Sequence, residues 1–167
     1  MKVVGQILEQ LAIDDDDELK SDMLGRSAFN RYYYAAFLVT RETLGKMQPN
    51  WKGTVHAEIP NLLKNGLKKP ARAAIKRQKR SGLIGEGDSS RMLTEINVTG
   101  NELAELMALA YDARILADYE PEVKTTKTGN VISLKSFKLS SAKNWPDRAN
   151  QHCSKLLKVW REIGLAY

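Results

Sequence analysis

Hydrophobic residues recur at spacings of three and four along most of this chain, which predicts helices nearly throughout. The segment 2–12 shows the pattern first and is predicted to form an amphipathic helix whose apolar stripe contains Val3, Val4, Ile7, Leu8 and Leu11. Asp22 is a favourable N-cap residue, so we expect a long second helix over about 23–46. Pro70 suits an early helical position and predicts a further helix over 70–80.

The pattern then predicts a loop followed by another long helix. The stretch "SGLIGEGDSS" (81–90) is rich in glycine and serine, which is typical of a loop. Thr99 and Glu102 have the spacing of a capping box and predict the start of a helix. That helix should end near Glu120-Pro121, because the residue before a proline disfavours helical geometry.

One passage has the two-residue alternation of a strand. In "EVKTTKTGNVISLKSF" (122–137), β-branched residues alternate around Thr-Gly-Asn, which predicts a small β-hairpin over about 122–138. A last helix over about 141–163 follows, with Gly164 as its C-cap. We therefore expect one domain over 1–167 of the all-α class, an up-and-down helical bundle with one small β-hairpin inserted before the last helix.

Two stretches place polar residues on otherwise apolar helices. In "RSAFNRYYYAAF" (26–37), apolar side chains cover several sides, which is typical of a helix at the centre of a bundle. The remaining side is polar and contains Arg26, Asn30, Arg31 and Tyr34. The later stretch "YDARILADYEP" (111–121) offers Arg114 and Asp118, four residues apart and able to pair with each other or with the first helix. Because a buried guanidinium is costly without acceptors, we expect one polar cluster, with purely structural pairing as the alternative to a functional site.

Basic residues are concentrated in one segment. From Lys64 to Arg80 the chain has eight basic side chains and no acidic one, whereas 14–18 is a run of five acids. Clustered lysine and arginine bind phosphates through counterion release, so this segment is a candidate RNA-binding surface. Its candidate contact residues are Lys68, Lys69, Arg72, Lys76, Arg77, Lys79 and Arg80. The alternative is an ordinary solvated surface.

Composition excludes several classes of protein. The single cysteine, Cys153, excludes a disulfide framework and a cysteine-based zinc cluster, and it is typical of a reducing compartment. The longest apolar run, "YYYAAFLV", is too short to span a membrane, and the N-terminal stretch runs into four aspartates, unlike a signal peptide. We therefore expect a cytoplasmic protein without a metal or cofactor. The net charge of +6 permits nucleic acid as a partner.

The order of these motifs resembles the HEPN domain family. "RSAFNRYYYAAF", then "VHAEIPNLL", then "RILADY" are similar to the pattern R-S-x-x-R-x-Y-Y-A-x-F, S-H and R-x-x-A-D-Y of a small stand-alone subgroup. The resemblance covers about residues 20–121, with Val55 in the place of the serine before His56. It implies an up-and-down helical bundle.

The resemblance also implies a candidate chemistry. Many HEPN domains are metal-independent ribonucleases with an R-x(4–6)-H motif at a dimer interface, where arginine stabilises the phosphorane and histidine moves protons. Arg114 stands at the motif arginine, but Asp118 and Tyr119 follow it instead of a histidine. These three residues are the candidate catalytic set, with Asp118 as base and Tyr119 as acid. A second arginine–histidine pair, Arg148 and His152, is one residue too short for the motif.

Two function hypotheses follow. The first is an RNA-binding or RNA-cleaving HEPN-like protein of a prokaryotic toxin–antitoxin or antiviral defence system. The second is a catalytically silent helical interaction module that pairs with a nucleotidyltransferase-like partner or self-associates. The expected partners are RNA and either a second copy, an antitoxin or a nucleotidyltransferase-like protein. The basic segment favours RNA in both cases, and the missing histidine favours the second hypothesis.

Overall fold

The computed structural model describes residues 1–165, which are mostly helical with a small antiparallel sheet. The helices are α1 (Lys2–Asp14), α2 (Glu18–Met47), α3 (Ile59–Asn61), α4 (Lys68–Arg80), α5 (Glu86–Tyr119), α6 (Leu139–Ala142) and α7 (Trp145–Glu162). Short 3-10 turns at Pro49–Trp51 and His56–Glu58 precede α3, and a π-helical turn at Leu62–Gly66 follows it. The strands are β1 (Thr125–Thr128), β2 (Val131–Leu134) and β3 (Phe137–Lys138). The predicted predominance of helix is confirmed.

The predicted hairpin forms, but it belongs to a three-stranded sheet of order β1-β2-β3. Thr128 pairs with Val131 across the Gly129-Asn130 turn, where Gly129 has φ +57°, a conformation that glycine adopts without strain. A second turn pairs Leu134 with Phe137 and adds β3. The prediction of a single hairpin was therefore incomplete, since β3 has only two residues and no alternating pattern of its own.

The predicted cap of the second helix was wrong. α2 begins at Glu18, and the side chain of Asp17 caps it by accepting hydrogen bonds from the Leu19 and Lys20 amides at 2.9 and 3.3 Å. Asp22 lies inside the helix instead, buried, with a carboxylate oxygen 2.7 Å from the Thr125 amide nitrogen that donates to it. Several adjacent aspartates can each act as a cap, so the local pattern does not decide which one starts the helix.

The predicted start of the fifth helix was also wrong. α5 begins at Glu86, so Thr99 of the apparent capping box lies mid-helix and buried, and the loop shrinks to 81–85. Met92 and Ile96 are buried and extend the helix's apolar stripe toward its N-terminus. Burial of this stripe outweighs the weaker local capping signal. The predicted end of the helix near Glu120 is confirmed.

The last helical segment has two parts, α6 and α7. The predicted C-cap is confirmed: Gly164 has φ +71°, its amide donates to the Arg161 carbonyl, and the Leu165 amide donates to the Trp160 carbonyl. These two bonds form a Schellman motif. Cys153 is buried in this helix, and burial raises the pKa of its thiol.

The chain forms two compact units. Unit 1 comprises Met1–Leu38 and Leu109–Arg148, and unit 2 comprises Val39–Ala108 and the chain from Ala149 onward. The core of unit 1 is aromatic and alanine-rich, with large buried side chains at Phe29, Tyr32, Tyr33, Phe37 and Trp145. The core of unit 2 is mostly aliphatic, with large buried side chains at Leu44, Met47, Ile59, Leu63, Leu67, Ile96, Leu103 and Trp160. Within the described residues, no helix is both long and apolar enough to cross a bilayer.

The first helix packs on unit 1 through its small residues rather than its apolar stripe. Gly5 and Ala12 are buried, and the Ser21 hydroxyl donates to the Ala12 carbonyl at 2.7 Å. The Tyr32 hydroxyl donates to Glu9 at 2.5 Å. The stripe residues Val3, Val4, Ile7 and Leu11 are exposed. The predicted amphipathic helix therefore forms with its apolar face toward solvent.

We expect Gly5→Ala to lower the free energy of unfolding by about 1–3 kcal/mol, because an added Cβ would lie 2.7 Å from Tyr32 Cε1 and force the ring to move. Gly87→Ala in α5 is the matched control, since a Cβ there meets no atom within 4 Å. It should be neutral or slightly stabilising. Urea unfolding measures both; equal destabilisation would contradict this packing of α1.

Candidate functional site

Of the three successive tyrosines of α2, two lie in the core and the third lies at the polar surface of the helix. Tyr32 and Tyr33 are buried, and burial raises the pKa of each hydroxyl well above its ordinary value. Tyr34 is only half-buried. Its ring lies edge-on to Tyr33 and Phe37 at 5.6 and 6.3 Å between centroids. Tyr34 therefore lies between the aromatic core of unit 1 and its polar surface.

Arg26 binds the C-terminal end of α5. Its guanidinium donates to the carbonyls of Val123 at 2.5 Å, Leu116 at 3.0 Å and Glu120 at 3.1 Å. The last turn of α5 has no basic residue of its own, so Arg26 supplies the positive charge that a helix C-terminus favours. Arg26 therefore positions the end of α5, which is the purely structural pairing predicted from the sequence as the alternative to a functional role.

Asp118 is held from two sides. The Asn30 side-chain amide donates to its Oδ1, and Arg114 Nε lies 2.7 Å from its Oδ2. The Arg114 N–H does not point at this oxygen, so the second contact is an ion pair rather than a hydrogen bond. The Arg114 side chain is 15% exposed and the Asp118 side chain 25%, so the pair lies at the surface with its charges cancelling locally.

Tyr119 covers the other side of the arginine. Arg114 Nη2 donates to the Tyr119 hydroxyl at 3.1 Å, and the guanidinium carbon lies 4.8 Å from the centre of the Tyr119 ring, a cation–π contact. Burial disfavours the charged arginine, but the Tyr119 hydrogen bond and the Asp118 charge raise the pKa of Arg114 on balance. Tyr119 itself is 63% exposed and makes the cluster accessible from solvent.

The structure brings four of the predicted residues into contact and leaves Arg26 and Arg31 outside this group. Asn30, Arg114, Asp118 and Tyr119 are in contact, and Tyr34 is near enough to Arg114 to influence its pKa. Arg31 was predicted to join them, but its guanidinium donates to the Met1 sulfur at 3.8 Å. Arg31 lies on the side of α2 that faces α1, because one residue along a helix turns the side chain by about 100°.

Sequence reasoning missed two tyrosines next to this cluster. Tyr33 lies 6.0 Å from Tyr111 between ring centroids, and the Arg114 charge lowers the pKa of Tyr33 against the larger effect of burial. Tyr111 precedes Arg114 by three residues and so lies on the same helical face. This three-residue spacing could have placed Tyr111 beside the cluster from the sequence alone.

The geometry limits what the cluster can do chemically. A guanidinium already paired with a carboxylate attracts a phosphate less than a free one does, and a carboxylate engaged on both oxygens has fewer lone pairs left to accept a proton. Tyr119 is exposed and hydrogen-bonded to Arg114, so a ligand can reach this side chain without rearrangement. The cluster therefore favours binding or recognition over catalysis in this arrangement.

The basic residues of α4 form a separate surface in unit 2. Ala71, Ala74 and Ile75 are buried on one side of the helix. The exposed side contains Lys69, Arg72, Lys76, Arg77, Lys79 and Arg80, whereas Lys68 is half-buried. Lys69, Arg72, Lys76 and Arg80 follow each other at spacings of three and four and form one row. Lys79 pairs with Glu86, so the other basic residues are the better candidates for phosphate contacts.

His152 belongs to unit 2 and has a different environment from Arg114. Its side chain is 14% exposed, and Nδ1 lies 3.4 Å from Glu102 Oε2. This carboxylate contact is of the kind expected for a structural histidine.

Comparison of the chain with protein-family models, with curated proteins and with solved structures finds no match. The resemblance to the HEPN family therefore rests on the motifs in the sequence.

We expect Arg26→Lys to lower the free energy of unfolding by about 1–3 kcal/mol, because an ammonium cannot reproduce the fork that reaches several carbonyls. Arg31→Lys in the same helix is the matched control and should change it by less than about 0.5 kcal/mol. Urea unfolding at neutral pH measures both. Equal losses would mean that the three carbonyl contacts of Arg26 contribute no specific stability.

Proposed function

We propose that this protein is a HEPN-like RNA-binding protein of a prokaryotic toxin–antitoxin or antiviral defence system. The main support is the basic row on α4, which is exposed on unit 2 and has no acidic residue within Lys64–Arg80. The motif order of 20–121 supports the family and its helical-bundle fold. A cytoplasmic location and partnership with an antitoxin or a nucleotidyltransferase-like protein belong to this proposal.

The α4 surface suits the backbone of RNA better than its bases. Neighbouring members of the row are three or four residues apart, which is about 4.5–6 Å along the helix axis. Flexible lysine and arginine side chains at this spacing can reach successive phosphates of one strand. The exposed part of α4 contains no aromatic side chain on which a base could stack. We therefore expect affinity that depends on salt far more than on sequence.

Metal-independent cleavage is the second candidate function, and it is favoured by the exposed Tyr119, whose hydroxyl accepts a hydrogen bond from Arg114. In this mechanism the RNA 2′-oxygen attacks the adjacent phosphorus, the 5′-oxygen leaves, and a 2′,3′-cyclic phosphate remains. Arg114 would stabilise the phosphorane charge, Asp118 would accept the 2′-hydroxyl proton and Tyr119 would protonate the leaving oxygen. Opening of the Arg114–Asp118 pair when RNA binds would strengthen the roles of Arg114 and Asp118, because each would lose its competing partner.

A silent interaction module is the alternative to both, and the closed Arg114–Asp118 ion pair favours it over cleavage. In that case Tyr119 would contact a partner protein, because an exposed tyrosine anchored by an arginine is typical of interface hot spots.

The first functional test compares two charge-matched variants in RNA binding. Replacing Lys69, Arg72, Lys76 and Arg80 by glutamine keeps helix propensity and should weaken binding at least tenfold at about 0.1 M salt, with a shallower salt dependence. The control replaces four exposed basic residues elsewhere, Lys143, Arg148, Lys155 and Lys158, and has the same net charge. Filter binding across salt concentrations measures both. Equal weakening would assign binding to net charge rather than to α4.

The second functional test concerns cleavage. If the protein cleaves RNA, Arg114→Ala should abolish cleavage, a chelator should have no effect, and the products should end in 2′,3′-cyclic phosphate. His152→Ala should retain activity, since His152 contacts Glu102 rather than the cluster. Circular dichroism of each variant checks folding. Loss of activity with His152→Ala alone would exclude the Arg114 site.

A further inference from the structure

The first helix presents an uncovered apolar face. Val3 is 66% exposed, Ile7 55%, Leu11 49% and Val4 46%, whereas Gly5 and Ala12 on the opposite face are buried. These four exposed residues lie within about 100° of the helix circumference, given 100° per residue. A continuous aliphatic stripe of this kind is typical of a helix that pairs with another helix.

The two ends of α1 differ in charge. No charged side chain interrupts the stripe between Val3 and Leu11. Asp14 lies in the last turn, which has no basic residue, and three more aspartates follow it. Negative charge at a helix C-terminus is unfavourable because it adds to the negative end of the macrodipole. The first-turn amides give the opposite end positive character, whereas the Lys2 ammonium is already paired with Asp147 at 2.6 Å.

We propose that α1 is a homodimer surface on which two copies of this chain pair as antiparallel helices. An antiparallel pair places the acidic end of each helix beside the positive end of the other, which relieves the unfavourable charge at Asp14. A parallel pair would bring the acidic ends together. Charge therefore selects both the occupant and its direction: a second α1 complements the first at both ends.

The stripe fixes the register of this pair. Val3, Ile7 and Leu11 are spaced by four residues, and Ile7 is in the middle. A two-fold axis through Ile7 therefore places the apolar residues of one copy opposite those of the other. Val3 of each copy then faces Leu11 of the other. The interface is isologous, as a two-fold contact must be.

The size of the surface predicts a weak dimer. Thirteen residues in α1 give a helix about 20 Å long, shorter than the usual extent of a stable two-chain interface. We therefore expect monomer and dimer to exchange at micromolar concentrations. The surface is distinct from the Arg114 cluster and from α4, so this inference does not rest on the proposed RNA-related function.

The concentration dependence of the molar mass tests the dimer. Sedimentation equilibrium from about 5 to 500 µM should show a monomer–dimer equilibrium for the full chain. Ile7→Glu should raise the dissociation constant at least tenfold, because it buries a charge on the two-fold axis. Val98→Glu is the control: Val98 is 49% exposed on α5, and its substitution should leave the constant unchanged. A monomer throughout this range, or equal effects of both variants, would overturn the proposal.

Disulfide cross-linking tests the direction of the helices. Ile7→Cys should give a cross-linked dimer under mild oxidation. Val3→Cys and Leu11→Cys should stay uncross-linked separately and cross-link when mixed, because only the antiparallel pair brings these positions together. Native Cys153 is buried and serves as an internal control in the unmodified chain. Cross-linking of Val3→Cys with itself would indicate parallel helices and overturn the arrangement.

Discussion

The hydrogen bonds of Arg26 are the contact on which the candidate site depends. A partly buried guanidinium requires acceptors, and the carbonyls at the end of α5 can accept more than the single backbone hydrogen bonds that reach Leu116 at 3.4 Å and Glu120 at 3.1 Å. Arg26 donates to the carbonyls of Leu116, Glu120 and Val123. Asn30 lies one helical turn further along α2, and there its amide meets Asp118. The contacts of Arg26 attach α2 to the end of α5, and this places Asn30 beside the α5 residues Arg114, Asp118 and Tyr119.

The cluster and the basic surface provide different capabilities. In unit 1, the charges of Arg114 and Asp118 cancel, and the Tyr119 side chain is exposed beside them. In unit 2, α4 presents positive charge, and within it Lys79 forms an ion pair with Glu86. We therefore propose that α4 attracts a polyanion and that the cluster provides specific recognition or chemistry. Their assignment to separate units means that each can be altered by substitution without disturbing the other's internal contacts.

Local patterns predicted elements well where one signal dominated. The Gly129-Asn130 turn and the Gly164 cap were predicted correctly because each needs a left-handed residue at one position. The starts of α2 and α5 were wrong because competing signals lay nearby: four adjacent aspartates before α2, and a capping box inside an apolar stripe that continues upstream. At the site, the i, i+4 spacing predicted the Arg114–Asp118 pair, which is a local contact. It could not decide whether Arg31 or Asn30 would meet Asp118, since that depends on how α2 is rotated against α5.

The sequence by itself determined the mostly helical class, the hairpin, the uninterrupted basic row of α4 and the local pairing of Arg114 with Asp118. All of these follow from contacts or patterns within a few residues. Only the tertiary structure decided that Arg26 binds backbone carbonyls, that Arg31 turns toward α1, and that α1 packs through Gly5 and Ala12 with its aliphatic stripe outward. The reason is that periodicity identifies the faces of a helix, but which face is buried depends on the shape of the neighbour. The Tyr32 ring lies against Gly5, where no larger residue fits without displacing it.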